Sequence, residues 1–170
     1  MGKKLVFSTD QINAATDRLA EQINSDYQGR ELLLVVVLNG AFIFSADLVR
    51  KLTVPLTVDF IKLSSYSGTE STGKVSLARD LGMEVTGRHI MVVEDIIDTG
   101  LSLGFLLDTL RSRSPASIKV CTLVDKRNRR KLPIDADYAG LVCEGGFLIG
   151  YGLDLDGRFR ELPAIYELSR

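Results

Sequence analysis

The sequence has few of the residues that build disulfide networks and zinc sites. Its 170 residues include two cysteines and one histidine. Cys121 and Cys143 form no C-x-x-C pair, and each lies in an apolar, strand-like run, so we expect buried free thiols in a reducing compartment. His89 has no zinc-ligand partner at a suitable spacing, which disfavours a zinc site or a Ser-His-Asp hydrolase and favours a structural role.

An excess of charge of either sign is also missing, as are long apolar runs. Lys plus Arg number 21 and Asp plus Glu number 22, so no overall field attracts nucleic acid or an anionic membrane. No apolar run approaches the roughly 20 residues that span a bilayer, and the N-terminal stretch lacks a signal peptide's apolar core. We therefore expect a cytoplasmic protein, with residues 1–170 forming a single domain.

What is present is an alternation of apolar runs with amphipathic segments. Runs that are apolar throughout predict strands covered on both faces, and the amphipathic segments between them predict helices. Strands are predicted at 31–38, 55–63, 89–97, 117–126, 138–145 and 147–153, and helices at 8–23, 41–52 and 101–113. Ser8 and Gln11 form a plausible capping box. This order predicts an α/β fold, a mostly parallel twisted sheet flanked by helices.

The polar stretch from Ser64 to Lys74 has neither helical nor strand periodicity, and we interpret it as a loop. Within it, Gly68–Val75 nearly matches a nucleotide-binding loop. The match fails at its last position, where Val75 replaces the Ser or Thr that would bind Mg²⁺, and the segment does not follow a buried strand.

Three carboxylates, Glu94, Asp95 and Asp98, end the apolar run "VVEDIIDTG". A single acid at such a place is usually a helix cap or a solvated turn residue. Three within five positions repel one another, so they need a cation, hydroxyl donors or N–H groups nearby. Mg²⁺ and a sugar diol are the candidates.

A helix N-terminus follows directly in "DTGLS", Asp98–Ser102. The free N–H groups of such a turn, the positive end of the helix dipole and the hydroxyls of Thr99 and Ser102 suit a phosphate. Gly100 lets the backbone approach the phosphate closely. The sequence therefore predicts a site for a sugar phosphate at this strand end.

The motif "EDIIDTG" after an apolar strand resembles the phosphoribosyl pyrophosphate motif of the purine phosphoribosyltransferases, in their hypoxanthine/guanine branch. The similarity extends from "VVVLNGAFIFSADL" to "GYGLDLDGRFREL". It implies the type I phosphoribosyltransferase fold with a small hood from the terminal segments, and a homodimer or homotetramer. It also implies Mg²⁺-dependent transfer of the 5-phosphoribosyl group to hypoxanthine and guanine, giving IMP, GMP and pyrophosphate.

The resemblance assigns roles to the acidic cluster and to the loop after it. Glu94 and Asp95 are expected to face the ribose hydroxyls with Mg²⁺ close by, and Asp98 to lie near purine N7 as general base or acid. The 5'-phosphate would be held by Asp98, Thr99, Gly100, Leu101 and Ser102.

Pyrophosphate is expected to contact three separate segments. They are the loop Leu38, Asn39 and Gly40, which in this family contains a non-proline cis peptide, the lid residues Ser65 and Tyr66, and Arg160. Asp154 would bind a second Mg²⁺. Asn39 stands where several relatives have Lys or Arg, and Leu101 replaces a Lys, so both departures should weaken substrate binding.

The purine base is expected to meet Lys126 at O6, Phe147 by stacking and the Leu148 backbone at its edge. An aromatic residue in a C-terminal strand is more often part of the core, which is the alternative for Phe147. Lys126 begins the basic run "KRNRRK", whose other members we interpret as surface residues.

Two other functions remain open from the sequence. One is an RNA-binding pyrimidine attenuation protein on the same fold, for which the basic run is the only hint. The other is xanthine/guanine specificity, which keeps the chemistry and changes the groups around C2 of the base. Asp98 favours the 6-oxopurine enzyme, and calorimetry with GMP against UMP separates it from the attenuation protein.

Overall fold

The apolar runs of the sequence form the strands of a central sheet in the computed structural model, which describes residues 2–65 and 75–169. The strands are β1 (Gly2–Phe7), β2 (Leu32–Leu38), β3 (Leu56–Ser65), β4 (Val75–Arg79), β5 (His89–Ile97), β6 (Ser117–Asp125), β7 (Tyr138–Val142), β8 (Leu148–Ile149) and β9 (Ile165–Ser169). The helices are α1 (Thr9–Asp26), α2 (Phe42–Val49), α3 (Leu101–Arg111) and a short 3-10 helix at Arg127–Arg129.

Six strands form the main sheet in the order β4-β3-β2-β5-β6-β7. All neighbours pair in parallel except β3 and β4, which are antiparallel. Leu33 of β2 pairs with Thr57 on one side and Ile90 on the other. The predicted mostly parallel sheet flanked by helices is confirmed, and the parallel strands bring their carboxyl ends to one edge.

Both faces of the sheet are covered, which explains why its strands are apolar throughout. Leu34 and Met91 lie in one cluster with residues of α1 and α2, such as Leu19. Val35 and Val92 lie in the other cluster, which includes the buried leucines of α3. Alternate side chains of each strand therefore enter opposite cores.

Helix α1 begins with the predicted capping box. The Ser8 hydroxyl accepts a hydrogen bond from the Gln11 backbone N–H at 3.2 Å, and the Gln11 side chain accepts one from Ser8 N–H at 2.8 Å. Ile12, Leu19 and Ile23 are fully buried on one face of the helix. The cap thus fixes the start of a helix whose apolar face packs on the sheet.

The terminal segments form a separate three-stranded sheet in the order β1-β9-β8, and both pairings are antiparallel. This confirms the expected hood. Strands β1, β4 and β9 were not predicted from the sequence, because they are short and mostly exposed or half-buried. The only strand in the predicted run 147–153 is β8, since the backbone turns through positive φ at Gly150, Tyr151 and Gly152.

Several predicted bounds also change. Helix α2 ends at Val49 rather than at residue 52, and α3 ends at Arg111 rather than at residue 113. Of the polar stretch predicted as a loop, Ser64 and Ser65 belong to β3. Residues 66–74, which contain most of the nucleotide-loop match, lie outside the described part of the chain.

Both cysteines are free, as predicted. Cys121 is fully buried, which raises the pKa of its thiol. The prediction of a buried thiol is wrong for Cys143, which is only partly buried because it lies just beyond the end of β7. His89 has the expected structural environment: its Nδ1 lies 2.7 Å from the Ser117 hydroxyl, and its ring meets Tyr27 edge-on. None of the helices formed by residues 2–65 and 75–169 has the length and apolar character needed to cross a membrane.

We predict that Ser8→Ala lowers the free energy of unfolding by about 1 kcal/mol, because one N-terminal amide of α1 loses its acceptor. Urea denaturation measures the change. The control is Ser25→Ala, an exposed position in the last turn of the same helix, which should change stability by less than about 0.5 kcal/mol. Equal destabilisation by both variants would contradict the capping role.

Candidate functional site

The predicted site residues gather where the parallel strands end. Asn39 and Gly40 follow β2, Asp98 follows β5, and Lys126 follows β6. The Lys126 backbone N–H donates to the Ile97 carbonyl at 2.9 Å, which joins the ends of β6 and β5. The cis peptide bond that the resemblance implies is present between Leu38 and Asn39. Three sequence segments thus meet at one edge of the sheet.

A cleft of about 470 Å³ opens at this edge. The predicted site residues that line it are Asp95, Asp98, Lys126, Phe147, Leu148 and Asp154. The lining residues that the sequence analysis did not select are Ile96, Arg129, Gly146 and Leu153. Residues from four parts of the chain therefore face one space large enough for a small ligand.

Glu94 and Asp95 occupy different environments. Glu94 is 8% exposed, and its pKa is raised well above the ordinary value by burial and by the neighbouring Asp95. Glu94 is not among the residues that line the cleft, whereas Asp95 is. The two acids of the pair therefore differ in their access to this space.

The Asp95 carboxylate packs tightly against the backbone of the loop after β2. A Cβ atom added to Gly40 would overlap the Asp95 carboxylate, and one added to Gly152 would overlap the Gly40 carbonyl oxygen. Burial raises the pKa of Asp95 to about 6, although the Ile96 N–H and the positive charge of Arg160 oppose that rise. Glycine at both positions is what permits this close approach.

Arg160 and Asp154 form an ion pair beside Asp95. Arg160 Nη2 lies 3.0 Å from Asp154 Oδ1, and its Nη1 donates to the Gly152 carbonyl at 2.5 Å. The Gly157 N–H donates to Asp154 Oδ2 at 2.7 Å. Asp154 also raises the pKa of Asp95 electrostatically, so the two carboxylates are neighbours around a single guanidinium group.

No group of three acidic, histidine or cysteine side chains in residues 2–65 and 75–169 could hold a metal ion. The carboxylates of Asp95 and Asp154 nevertheless fit Mg²⁺, a hard cation that proteins bind through one or two carboxylates together with water and substrate phosphates. A site of this kind is completed by the substrate, so it needs no full set of protein ligands.

Asp98 has one carboxylate oxygen directed into a buried position. Its Oδ1 is buried and has no hydrogen-bond partner among the described residues, although Arg129 Nε lies 3.2 Å away in an unsuitable direction. Lys126 is 4% exposed, and its ammonium group donates to the Gly146 carbonyl at 2.6 Å. The cleft therefore holds an acceptor and a donor that a ligand could use.

The loop after β5 leads into the N-terminus of α3. Gly100 has φ +82° and is the cap residue, a backbone conformation that favours glycine. Thr99 Oγ1 accepts a weak hydrogen bond from Leu101 N–H at 3.4 Å. The side chains of Leu101 and Ser102 are exposed, and the first-turn amides of a helix have no partners within it. The predicted phosphate loop thus has the expected backbone form.

Phe147 and Leu148 also line the cleft. Phe147 is 50% exposed, whereas Leu148 is buried in β8. Because half of its surface is exposed, Phe147 is not the core aromatic that was the alternative interpretation. Ser65 is the last residue of β3, and Tyr66, the other predicted lid residue, lies outside the described residues.

The interpretation of the basic run as one functional lysine and a surface turn is incomplete. Arg129 lines the cleft, and Arg130 is largely buried, with an ion pair to the buried Asp125. Asp125, the acid directly before Lys126, was the sequence signal that could have identified this ion pair. A weaker signal was Gly152, one of two glycines around Tyr151, which could have indicated the close backbone contact with Gly40.

The comparisons agree with this geometry. The phosphoribosyl transferase domain family matches residues 8–156. A hypoxanthine-guanine-xanthine phosphoribosyltransferase of Tritrichomonas foetus is 42% identical over 164 residues, which are 96% of this chain and 90% of that protein. A hypoxanthine phosphoribosyltransferase structure from Staphylococcus aureus has a TM-score of 0.93 and 38% identity, with 98% of this chain and 91% of that chain covered. A hypoxanthine-guanine phosphoribosyltransferase structure from Bacillus anthracis has a TM-score of 0.93 and 42% identity, with 98% and 99% covered. The chain therefore belongs to the phosphoribosyltransferase family, in its hypoxanthine-guanine branch.

Proposed function

We propose that this chain transfers the 5-phosphoribosyl group from phosphoribosyl pyrophosphate to hypoxanthine and guanine, giving IMP or GMP and pyrophosphate in purine salvage. The observation that carries the proposal is the cleft that Asp98 and Lys126 both line, which brings a carboxylate and an ammonium group to one space. A 6-oxopurine presents a matching pair, an N–H group on the imidazole ring and the O6 acceptor.

The purine would lie between Phe147 and the end of β5. Lys126 would donate to O6 after exchanging its present acceptor, the Gly146 carbonyl. The half-exposed ring of Phe147 offers a stacking surface, and aromatic stacking with a base contributes about 1–3 kcal/mol. The Leu148 backbone would meet the edge of the base.

The phosphoribosyl group would lie along the segment from Glu94 to Ser102. Its 5'-phosphate would accept from the amides at the N-terminus of α3, where the helix dipole favours negative charge. The exposed hydroxyl of Ser102 is available as a further donor. Asp95 would bind ribose hydroxyls, and Glu94, which is outside the cleft, would support this segment from the buried side.

Pyrophosphate would leave toward Arg160 and the loop after β2. The backbone of Leu38, Asn39 and Gly40 lies beside Asp95 through the close contact at Gly40. Ser65 and Tyr66 would cover the reacting centre and exclude water, which would otherwise hydrolyse the activated sugar. The side chain of Asn39 carries no positive charge, so the amides of this loop have the larger part in binding.

Asp98 would act on the proton of the purine imidazole ring. As N9 bonds to C1 of the ribose, the C1–O bond to pyrophosphate breaks and the ring loses a proton, which the Asp98 carboxylate can accept. General-base assistance of this kind contributes about 10²- to 10⁴-fold. Groups around the leaving pyrophosphate stabilise its charge as the sugar becomes cationic.

Mg²⁺ is the cofactor that we propose for this site. Asp95 and Asp154 would hold the ion. Glu94, which lies outside the cleft, would act on it only through its neighbour Asp95. When bound, Mg²⁺ neutralises part of the charge on pyrophosphate and favours its departure. Arg160 already holds the Asp154 carboxylate at 3.0 Å, so it can orient that ligand.

An RNA-binding role finds no support in the basic run. Arg127 and Arg130 both contact Asp125, so an internal acid neutralises part of the charge of this run. Xanthine is named among the substrates of the Tritrichomonas foetus relative, and steady-state kinetics with hypoxanthine, guanine and xanthine would rank the bases for this chain.

We also propose a single-domain chain that acts in the cytoplasm as a homodimer or homotetramer. Its two free cysteines are consistent with a reducing compartment. Leu5, Phe42 and Val142 are large apolar residues with roughly half of their surface exposed, which suits contacts between subunits. Sedimentation equilibrium distinguishes the monomer from the proposed assemblies.

We predict that Asp98→Asn lowers kcat by about 10²- to 10⁴-fold, because an amide of the same shape cannot accept the purine proton. GMP affinity, measured by calorimetry, should change by less than about threefold. If Asp98 contributed only a binding contact, both kcat and GMP affinity would fall. The exposed Asp135→Asn serves as control and should retain kcat. A comparable loss of kcat and of GMP affinity would count against acid–base action by Asp98.

We predict that Lys126→Met raises KM for hypoxanthine by about 10- to 100-fold, since a hydrogen bond from a charged donor contributes about 1.5–3 kcal/mol. KM for phosphoribosyl pyrophosphate should stay nearly constant. Lys131→Met, an exposed lysine of the same basic run, is the control. The assignment to O6 would be wrong if both KM values rose equally.

We predict that removal of divalent ions with a chelator abolishes the reaction and that Mg²⁺ restores it. Asp154→Asn should raise the half-saturating Mg²⁺ concentration by at least about tenfold, because even indirect partners of a metal contribute that much. Asp156→Asn, an exposed neighbour in the same turn, should leave it unchanged. An identical Mg²⁺ dependence in both variants would exclude Asp154 as a ligand.

A further inference from the structure

The basic run after β6 contains a buried ion pair that the proposed reaction does not use. Asp125, the last residue of β6, is 2% exposed. Its Oδ1 pairs with Arg130 Nη2, whose side chain is 12% exposed. Its Oδ2 accepts from Arg127 Nε at 3.0 Å, and that guanidinium is largely exposed. Arg130 is therefore the buried partner, and Arg127 is the solvated one.

Arg130 also contacts the loop that we assign to the 5'-phosphate. A Cβ atom added to Gly100 would lie 3.1 Å from the Arg130 Cδ, so the aliphatic part of Arg130 lies against this glycine. The other end of its guanidinium donates through Nη1 to the Ile134 carbonyl. One side chain thus joins the end of β6, the phosphate loop and the segment that follows the basic run.

Backbone hydrogen bonds connect the same two segments. Lys126 N–H donates to the Ile97 carbonyl at 2.9 Å, and Lys131 N–H donates to the Thr99 carbonyl at 2.8 Å. These bonds lie on either side of Arg130 in sequence. The segment that carries the purine-binding lysine is therefore fastened at both ends to the segment that carries Asp98 and the phosphate loop.

We propose that Arg130, through its buried pair with Asp125, is a positioning residue that fixes the purine subsite relative to the ribose phosphate subsite. This rests on the proposed function, because the two subsites are those of that reaction. Lys126 is covalently joined to Asp125, and Gly100 lies against Arg130, so movement of either partner displaces one subsite with respect to the other.

The relative placement of two reactants acts mainly on the rate of the chemical step. Each substrate can still bind its own subsite when the two are displaced, but purine N9 and ribose C1 are then misaligned. A displacement of about 1 Å can cost about 10²-fold in rate. The proposal therefore requires kcat to fall while the KM values for both substrates change little.

The first test is Arg130→Lys. Lysine keeps the positive charge, but it lacks the planar fork that contacts Asp125 and the Ile134 carbonyl together. We expect kcat with hypoxanthine and phosphoribosyl pyrophosphate to fall by about 10²-fold and both KM values to change by less than about threefold. Arg127→Lys, which affects the exposed partner of the same carboxylate, should retain kcat within about twofold.

The second test separates positioning from stability. Replacing a buried ion pair with apolar residues commonly preserves or increases stability, whereas removing one partner reduces it. Arg130→Met alone should therefore lower Tm, and the double variant Asp125→Leu with Arg130→Met should regain it. We expect kcat to remain about 10²-fold low in the double variant, since its guanidinium contacts are not restored.

Recovery of kcat together with Tm in the double variant would show a purely structural pair and would overturn the proposal. The same conclusion would follow from an unchanged kcat in Arg130→Lys. A wild-type chain without phosphoribosyl transfer would instead contradict the proposed function itself, so the two failures are distinguishable.

Discussion

Close packing of two backbone segments and a carboxylate at the edge of the parallel sheet is the constraint on which the site depends. The loop after β2 contacts both the Asp95 carboxylate and the turn at Gly152, without space for a side chain at Gly40 or Gly152. Parallel strands bring these segments to one edge, and glycine lets them meet. The position of Arg160 follows, because its guanidinium donates to the Gly152 carbonyl.

Charge at this edge is balanced locally rather than by the whole molecule. Arg160 pairs with Asp154, Arg130 with Asp125 and Arg129 with Asp98, so three acids at this edge each have a guanidinium beside them. Asp98 differs from the other two, since its buried Oδ1 lies 3.2 Å from Arg129 Nε but forms no hydrogen bond among the described residues. A buried acceptor without a hydrogen bond gains most from the proton of a ligand.

Much of the fold and part of the site followed from the sequence. Continuous apolar runs such as Leu32–Leu38 identified the buried strands, and "EDIIDTG" identified the edge of the sheet at which the proposed site lies. The strands β1 and β9 escaped notice because their burial depends on pairing between the two chain ends, which local periodicity does not contain. The different surroundings of Glu94 and Asp95, and the burial of Arg130, likewise depend on which neighbours the fold supplies.

The hood has a consequence for how the protein matures. Leu148 belongs to β8, β8 pairs with β9, and β9 pairs with β1. One wall of the proposed purine cleft is thus anchored to strands β1 and β9, which are far apart in the sequence. Contacts between residues so distant in sequence form slowly and late, and a nascent chain on the ribosome cannot make them until Ile165–Ser169 has emerged. The parallel sheet can assemble first, whereas the wall that we propose for the base is completed only when β9 pairs with β8 and β1.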